Sequence, residues 1–142
     1  MTAEDQLMSR SKTKSNKQHC VLIIDDDEAV RLSLKFHFDD CGFKTESVQT
    51  AEEALTLMEN TKIDAAIVDL RLPGISGIEF IRLAAEKWPG VMYIIYTGSP
   101  AANIPDEILS TISVSPKMFF KPLPDLSELS DEVIRIIGNP ES

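Results

Sequence analysis

The sequence predicts an α/β fold in which helices cover both faces of a five-stranded parallel sheet. The 142-residue chain alternates short apolar runs with longer amphipathic segments, strand then helix, five times over. The apolar runs are continuous, which is typical of parallel strands buried on both faces. Several of these runs end abruptly in a polar or acidic residue. The length of the chain suits one domain with a substantial core.

The predicted strands share a run of apolar residues, rich in β-branched and aromatic types, between turn or helix signals. They comprise residues 21–24, 43–48, 64–69, 91–97 and 117–121.

The segment after the first strand fits two patterns. Apolar and polar residues alternate over residues 30–38, which by period alone indicates a strand. The length of the segment, its acidic start and the glycine that follows favour a helix. On that helix Leu34 and Phe38 share one apolar face, and Leu32 and Phe36 lie on the opposite side.

Capping signatures predict where three other helices begin. A capping box at residues 50–53 opens a helix that runs to about Met58, and another at residues 76–79 opens one that ends before Pro89. A similar start at residues 125–128 opens the last helix, which Gly138 terminates. A short, weak helix lies between the last two strands, with Pro105 expected in its first turn.

Composition limits the classes of function. The net charge is −9, although residues 1–19 hold four basic and two acidic side chains, so the remainder is more acidic still and would repel nucleic acid. No apolar run has the roughly 18 residues of a membrane span, so we expect a cytoplasmic protein without membrane contact. Cys20 and Cys41 are expected to be free thiols. We expect residues 1–19 to form a disordered leader, residues 20–138 the domain and residues 139–142 a tail.

Polar side chains at the ends of four predicted strands suggest a site. Asp25 and Asp26 follow the first strand, Asp69 the third, Thr97 the fourth and Lys121 the fifth. Each residue alone is explained by a cap or a turn. Because the carboxyl ends of parallel strands share one edge, we expect all of them to converge.

The chemistry of this set points to phosphate. Three close carboxylates repel one another unless a cation lies between them, and Mg²⁺ is the usual ion at sites that handle phosphate. The Thr97 hydroxyl can donate to a phosphoryl oxygen, and the Lys121 ammonium can neutralise another. Asp69 would then be a nucleophile that forms an aspartyl phosphate.

These motifs resemble the receiver domain of two-component response regulators, from about Cys20 to Ile137. The matching motifs are Leu-Ile-Ile-Asp-Asp-Asp-Glu, Ile-Val-Asp-Leu-Arg-Leu-Pro-Gly-Ile-Ser-Gly, Ile-Tyr-Thr-Gly and Phe-Phe-Lys-Pro. The resemblance implies a doubly wound, flavodoxin-like sheet of order 2-1-3-4-5 with five helices.

The resemblance also implies roles for individual residues. Asp69 is the implied phosphoacceptor, Asp25 and Asp26 are the acidic metal pair, and Arg71 offers its backbone carbonyl to Mg²⁺. Thr97 is the implied switch hydroxyl. Lys121 is the implied phosphoryl partner, and its bond to the following proline is expected to be cis.

Three features depart from the family pattern or add to it. Met118 stands where the family usually has an aromatic side chain that rotates inward when the threonine engages phosphate. With the flexible methionine, this rotation is expected to be less two-state. The long side chain of Arg71 is expected to reach over the site and to affect dephosphorylation. Leu32 and Phe36 replace residues that are normally polar in the family, and we interpret them as a docking surface for a kinase or a phosphotransfer bundle, although incidental exposure explains them equally well.

The resulting hypothesis is a signalling switch of a two-component system or phosphorelay. A sensor histidine kinase or histidine phosphotransfer protein supplies the phosphoryl group, and a downstream effector protein or a missing output domain responds around the fourth helix, fifth strand and fifth helix. Such a protein is not a turnover enzyme but catalyses its own phosphorylation and dephosphorylation. Two alternatives remain: a degenerate receiver that binds partners without phosphorylation, and a haloacid-dehalogenase-like phosphatase, whose Asp-x-Asp motif is matched only incompletely at residues 25–29.

Overall fold

The computed structural model of the chain describes residues 18–99 and 104–140, in which strands and helices alternate as expected. The strands are β1 (Cys20–Ile24), β2 (Lys44–Val48), β3 (Ala65–Val68), β4 (Met92–Thr97) and β5 (Phe119–Phe120). The helices are α1 (Glu28–Cys41), α2 (Ala51–Met58), α3 (Gly77–Lys87), α4 (Asp106–Leu109) and α5 (Ser127–Ile137).

All strand pairs in the sheet are parallel, and the order is β2-β1-β3-β4-β5. The strand order that the resemblance implies and the doubly wound class predicted from the sequence are therefore confirmed. Ile24 at the end of β1 is in register with Val48 of β2 and Val68 of β3. This alignment brings the residues that follow β1 and β3 to the same edge of the sheet.

The sheet separates two apolar layers, because alternate side chains of each strand point to opposite faces. Leu22 and Ile24 of β1 pack on the layer that contains buried residues of α2, α3 and α4. Val21 and Ile23 pack on the layer that contains buried residues of α1 and α5. The central strands are thus shielded on both sides, which explains their continuous apolar sequences.

The ambiguous segment after β1 is a helix, as predicted. The Asp27 side chain accepts hydrogen bonds from the backbone N–H groups of Ala29 and Val30, and Gly42 ends α1 with a left-handed φ of 102°. Leu34 and Phe38 are buried beneath α1. Packing of this face therefore outweighs the period-two pattern in the sequence.

Some predicted boundaries were wrong. Strand β5 has only two residues because, before it, the backbone N–H of Lys117 donates to the Ser115 hydroxyl instead of pairing in the sheet. Pro105 lies just before α4 and not in its first turn. Helix α5 starts at Ser127, one residue later than a cap at Asp125 predicts, and the Asp125 carboxylate still accepts the N–H of Ser127.

Both ends of the described chain are tied to the amino-terminal edge of the sheet. The Gln18 amide donates to the carbonyl of Gly42, and the backbone N–H of His19 donates to the carbonyl of Pro140 at 2.7 Å. Residues 1–17 of the expected leader and residues 141–142 of the expected tail lie outside the described residues. Within the described parts of the chain, none of the helices has the length and apolarity that crossing a membrane requires.

Candidate functional site

Four strand ends bring polar side chains together at the carboxyl edge of the sheet. Asp25 follows β1, Asp69 follows β3, Thr97 ends β4 and Lys121 follows β5. Asp25, Asp69 and Thr97 are buried although they are polar, which requires that they have partners. Each of these residues ends or directly follows an apolar strand. Packing of the strands in the sheet therefore also fixes the positions of these polar residues.

Three carboxylates form the acidic centre of this edge. One oxygen from each of Asp25, Asp26 and Asp69 lies within 4.8 Å of the other two. Asp26 is exposed, whereas the other two are buried. Oxygen ligands of this kind fit a hard divalent cation that keeps some of its waters. The third acidic residue of the run, Asp27, caps α1 instead.

Lys121 supplies the positive charge beside two of these carboxylates. Its Nζ lies 2.6 Å from Asp25 Oδ2 and 3.1 Å from Asp69 Oδ2. The peptide bond from Lys121 to Pro122 is cis, as the resemblance implies. The side chain of Lys121 is only 17% exposed, so this ion pairing is shielded from solvent.

The pKa shifts at the site follow from burial and from this ion pairing. Burial raises the pKa of Asp25 above its ordinary value, against the hydrogen bonds from Lys121 and from the backbone of Asp27. For Lys121, burial lowers the pKa, but the hydrogen bonds and charges of Asp25 and Asp69 outweigh burial and leave the pKa raised. The Lys121 ammonium therefore stays charged around neutral pH.

The site opens to solvent as a cleft of about 570 Å³, and Asp69, Thr97 and Lys121 are among its lining residues. The backbone N–H of Arg71 donates to Asp69 Oδ1 at 3.3 Å. The Thr97 hydroxyl oxygen accepts from the backbone N–H of Ser99 at 3.3 Å, which leaves its own proton free to donate into the cleft. A phosphoryl-sized group thus has room beside the carboxylate.

The Arg71 side chain lies at the wall of the cleft and is tied to Ser99. Its Nε donates to the Ser99 hydroxyl at 3.1 Å, and both residues line the cleft. Ser99 was not identified from the sequence. Its only signal was its position two residues after Thr97, which does not reveal a contact with a residue 28 positions away.

The remaining predicted residues lie outside the acidic cluster. Met118 is half-buried and packs against the apolar layer that contains α2, α3 and α4. Leu32 is 47% and Phe36 70% exposed, on the side of α1 away from the core. Helix α1 begins two residues after Asp26, and Leu32 follows about one turn further along the helix.

Two supporting contacts escaped sequence reasoning because they join elements distant along the chain. The Arg31 guanidinium of α1 donates to the backbone carbonyl of Asp25 at 2.8 Å. The Glu52 carboxylate of α2 accepts from the backbone N–H of Ile75, in the loop that follows Asp69. In the sequence, both residues look like ordinary charged residues on the solvent side of a helix. No periodic pattern distinguishes them.

Comparison with known proteins identifies the class of domain to which this geometry belongs. Residues 21–129 match the response regulator receiver domain family. A CheY-like receiver domain from Methanospirillum hungatei has the same fold, with a TM-score of 0.74 and 28% identity over 84% of this chain and 94% of that one. The chain therefore belongs to the response regulator receiver domain family, and it is a signalling domain.

Curated relatives are longer than this chain. The response regulator MprA of a Mycobacterium species is 39% identical over 58% of this chain and 36% of its own length. The hydrogenase transcriptional regulatory protein HoxA of Cupriavidus necator is 32% identical over 59% of this chain and 17% of its own length. The matched segment thus spans well under half of either relative.

Proposed function

We propose that Asp69 is the phosphoacceptor of this receiver domain and that a phosphohistidine, on a sensor histidine kinase or a histidine phosphotransfer protein, is the phosphoryl donor. The observation that supports this most directly is the convergence of three carboxylates and the Lys121 ammonium at one edge of the sheet. In the reaction an Asp69 carboxylate oxygen attacks phosphorus, and the donor imidazole leaves.

Asp25, Asp26 and Asp69, with the backbone carbonyl of Arg71, would hold Mg²⁺. The fit rests on the donor set, since oxygen ligands close together and partly open to solvent suit this ion. Bound there, the ion supplies positive charge that stabilises the phosphoryl group in transfer.

Lys121 and Thr97 complete the proposed chemistry from the other side of the cleft. The Lys121 ammonium, already 3.1 Å from Asp69, neutralises a phosphoryl oxygen once the carboxylate is modified. The Thr97 hydroxyl donates to another phosphoryl oxygen, and this draws β4 towards the site. We propose that half-buried Met118 adjusts its packing in response, in the role that an aromatic has in relatives.

We further propose that the donor docks on α1. The exposed Leu32 and Phe36 lie on the outward side of the helix whose amino terminus adjoins the acidic cluster. A helical bundle with an apolar face could cover them while its phosphohistidine reaches Asp69. A downstream effector or an attached output domain, in the cytoplasm, would then respond to the face formed by α4, β5 and α5.

Incubation of the protein with acetyl phosphate and Mg²⁺, followed by intact mass measurement, tests the proposal. We expect one phosphoryl adduct on the wild type. The control variant Asp40→Asn, which changes an exposed aspartate near the end of α1, should carry the same adduct. We expect none on Asp69→Asn. The absence of an adduct on the wild type, or its persistence in Asp69→Asn, would contradict the proposal.

A further inference from the structure

The loop between β3 and α3 is held at both of its ends by local hydrogen bonds. At its start the N–H of Arg71 donates to the Asp69 side chain at 3.3 Å. At its end the N–H of Gly77 donates to the carbonyl of Leu70 at 3.0 Å. The middle of the loop has no regular secondary structure, so its position depends on contacts with the rest of the protein.

One such contact comes from α2, a helix that contributes no residue to the acidic cluster. Glu52 Oε2 accepts from the backbone N–H of Ile75 at 3.2 Å, across 23 positions of sequence. The same carboxylate lies directly over Gly74, where a Cβ atom would come within 2.5 Å of Glu52 Oε2. Gly74 also has a φ of +73°, which favours glycine. The turn is therefore shaped to receive the Glu52 side chain.

From these contacts we infer that Glu52 is a positioning residue for Mg²⁺, acting through the β3–α3 loop. The inference rests on the proposed function, in which the backbone carbonyl of Arg71 is a metal ligand. By fixing Gly74 and Ile75, Glu52 restricts the conformations of the loop segment that carries this carbonyl. Mg²⁺ requires near-ideal octahedral geometry, so the loop that carries a ligand must be ordered when the ion binds. A loop that is already restrained loses less conformational entropy in this step than a free loop does.

The neighbouring residue Glu53 provides a matched control. It has the same charge and lies in the same turn of α2, but its carboxylate accepts the N–H of Gln49 in a local cap. The Glu53→Ala variant therefore removes one negative charge and weakens the start of α2 without releasing the β3–α3 loop. Any effect specific to Glu52→Ala then reflects the contact with the loop.

Calorimetric titration with Mg²⁺ alone, without phosphoryl donor, tests the inference. We expect Glu52→Ala to weaken Mg²⁺ binding about three- to tenfold, at or below the lower end of the range for residues that support metal ligands. We expect Glu53→Ala to bind Mg²⁺ like the wild type, even though its melting temperature is lower. Glu52→Gln keeps an acceptor oxygen and should retain most of the affinity.

A double-mutant cycle with Gly74→Ala separates the contact from backbone strain. The added Cβ should displace Glu52, so Gly74→Ala should weaken Mg²⁺ binding more in the wild type than in Glu52→Ala. Additive effects would overturn the inference. So would equal affinity of Glu52→Ala and the wild type, or equal weakening by Glu53→Ala or by Glu52→Gln. If the wild type itself binds no Mg²⁺, the proposed function fails first.

Discussion

Gly77, the first residue of α3, lies directly against the backbone of Asp69. A Cβ atom at position 77 would overlap the Asp69 carbonyl oxygen and lie 2.7 Å from the Cα of Leu70. Because these atoms belong to the backbone of a buried strand end, they cannot turn aside as a side chain can. Gly77→Ala should therefore destabilise the domain by about 1–3 kcal/mol or more, measured by urea unfolding.

Gly90→Ala is the control for this prediction. A Cβ atom added at Gly90 meets no atom within 4 Å, so the change in stability should stay within about 0.5 kcal/mol. Equal stability of the two variants would show that α3 moves away from Asp69 at little cost.

Lys121→Met should strengthen binding of Mg²⁺ in the absence of phosphate. The Lys121 ammonium contacts both Asp25 and Asp69 and so competes with a cation for the same carboxylates. We expect the affinity to rise about three- to tenfold, which corresponds to roughly 0.7–1.4 kcal/mol. Calorimetry should show no rise for Lys62→Met, which removes the same charge beside Asp64 at the opposite edge. Unchanged or weaker binding by Lys121→Met would contradict the competition.

Arg71→Ala should shorten the lifetime of the phosphorylated protein. The Arg71 side chain, held by Ser99, lines the cleft through which water would reach a phosphoryl group on Asp69, the proposed phosphoacceptor. Loss of this cover should raise the rate of dephosphorylation about two- to tenfold, the equivalent of one hydrogen bond of roughly 0.5–1.5 kcal/mol. The decay of the adduct mass after removal of the donor gives the rate. Ser99→Ala keeps the arginine but frees it, so its rate should fall between those of the wild type and Arg71→Ala. A rate for Arg71→Ala equal to the wild type would contradict the role of the side chain.

The double variant Leu32→Ser, Phe36→Ser should slow phosphotransfer from a histidine donor while phosphorylation by acetyl phosphate stays unchanged. Both side chains are exposed, so stability should change by only about 0.5 kcal/mol per site. Leu83→Ser, which changes a 41% exposed leucine on α3, serves as the control and should transfer normally. Unaltered transfer to the double variant would mean that α1 is not the docking surface.

The site residues that could be predicted from the sequence are those at the carboxyl ends of the predicted strands. Asp25, Asp69 and Thr97 follow or end buried apolar strands, and parallel topology alone brings them to one edge. Glu52 and Ser99 could not be found in this way. Their contacts depend on the paths of two loops, and a polar residue on an exposed turn gives no sign of which distant backbone it meets.

The bounds of the short elements, unlike their existence, were also beyond the reach of the sequence pattern. The apolar composition around Phe119 and Phe120 indicates a strand, but its length depends on whether the preceding backbone pairs with β4 or with a side chain. Here Ser115 takes the N–H of Lys117, and the strand starts late. Packing decides whether a backbone N–H pairs within the sheet or with a nearby side chain. The strand propensities of single residues carry no information about that packing.

The hydrogen bond between His19 and Pro140 has a consequence for protein engineering. It places the two ends of the described chain side by side at the start of β1, and the six residue steps from His19 along this strand to Asp25 span roughly 20 Å at about 3.3 Å per residue. A fluorescent protein or another domain joined directly to Gln18 or to Pro140 would begin on the side away from Asp69. A conformational change caused by phosphorylation at the proposed site would therefore reach such a domain only through the sheet and its helices.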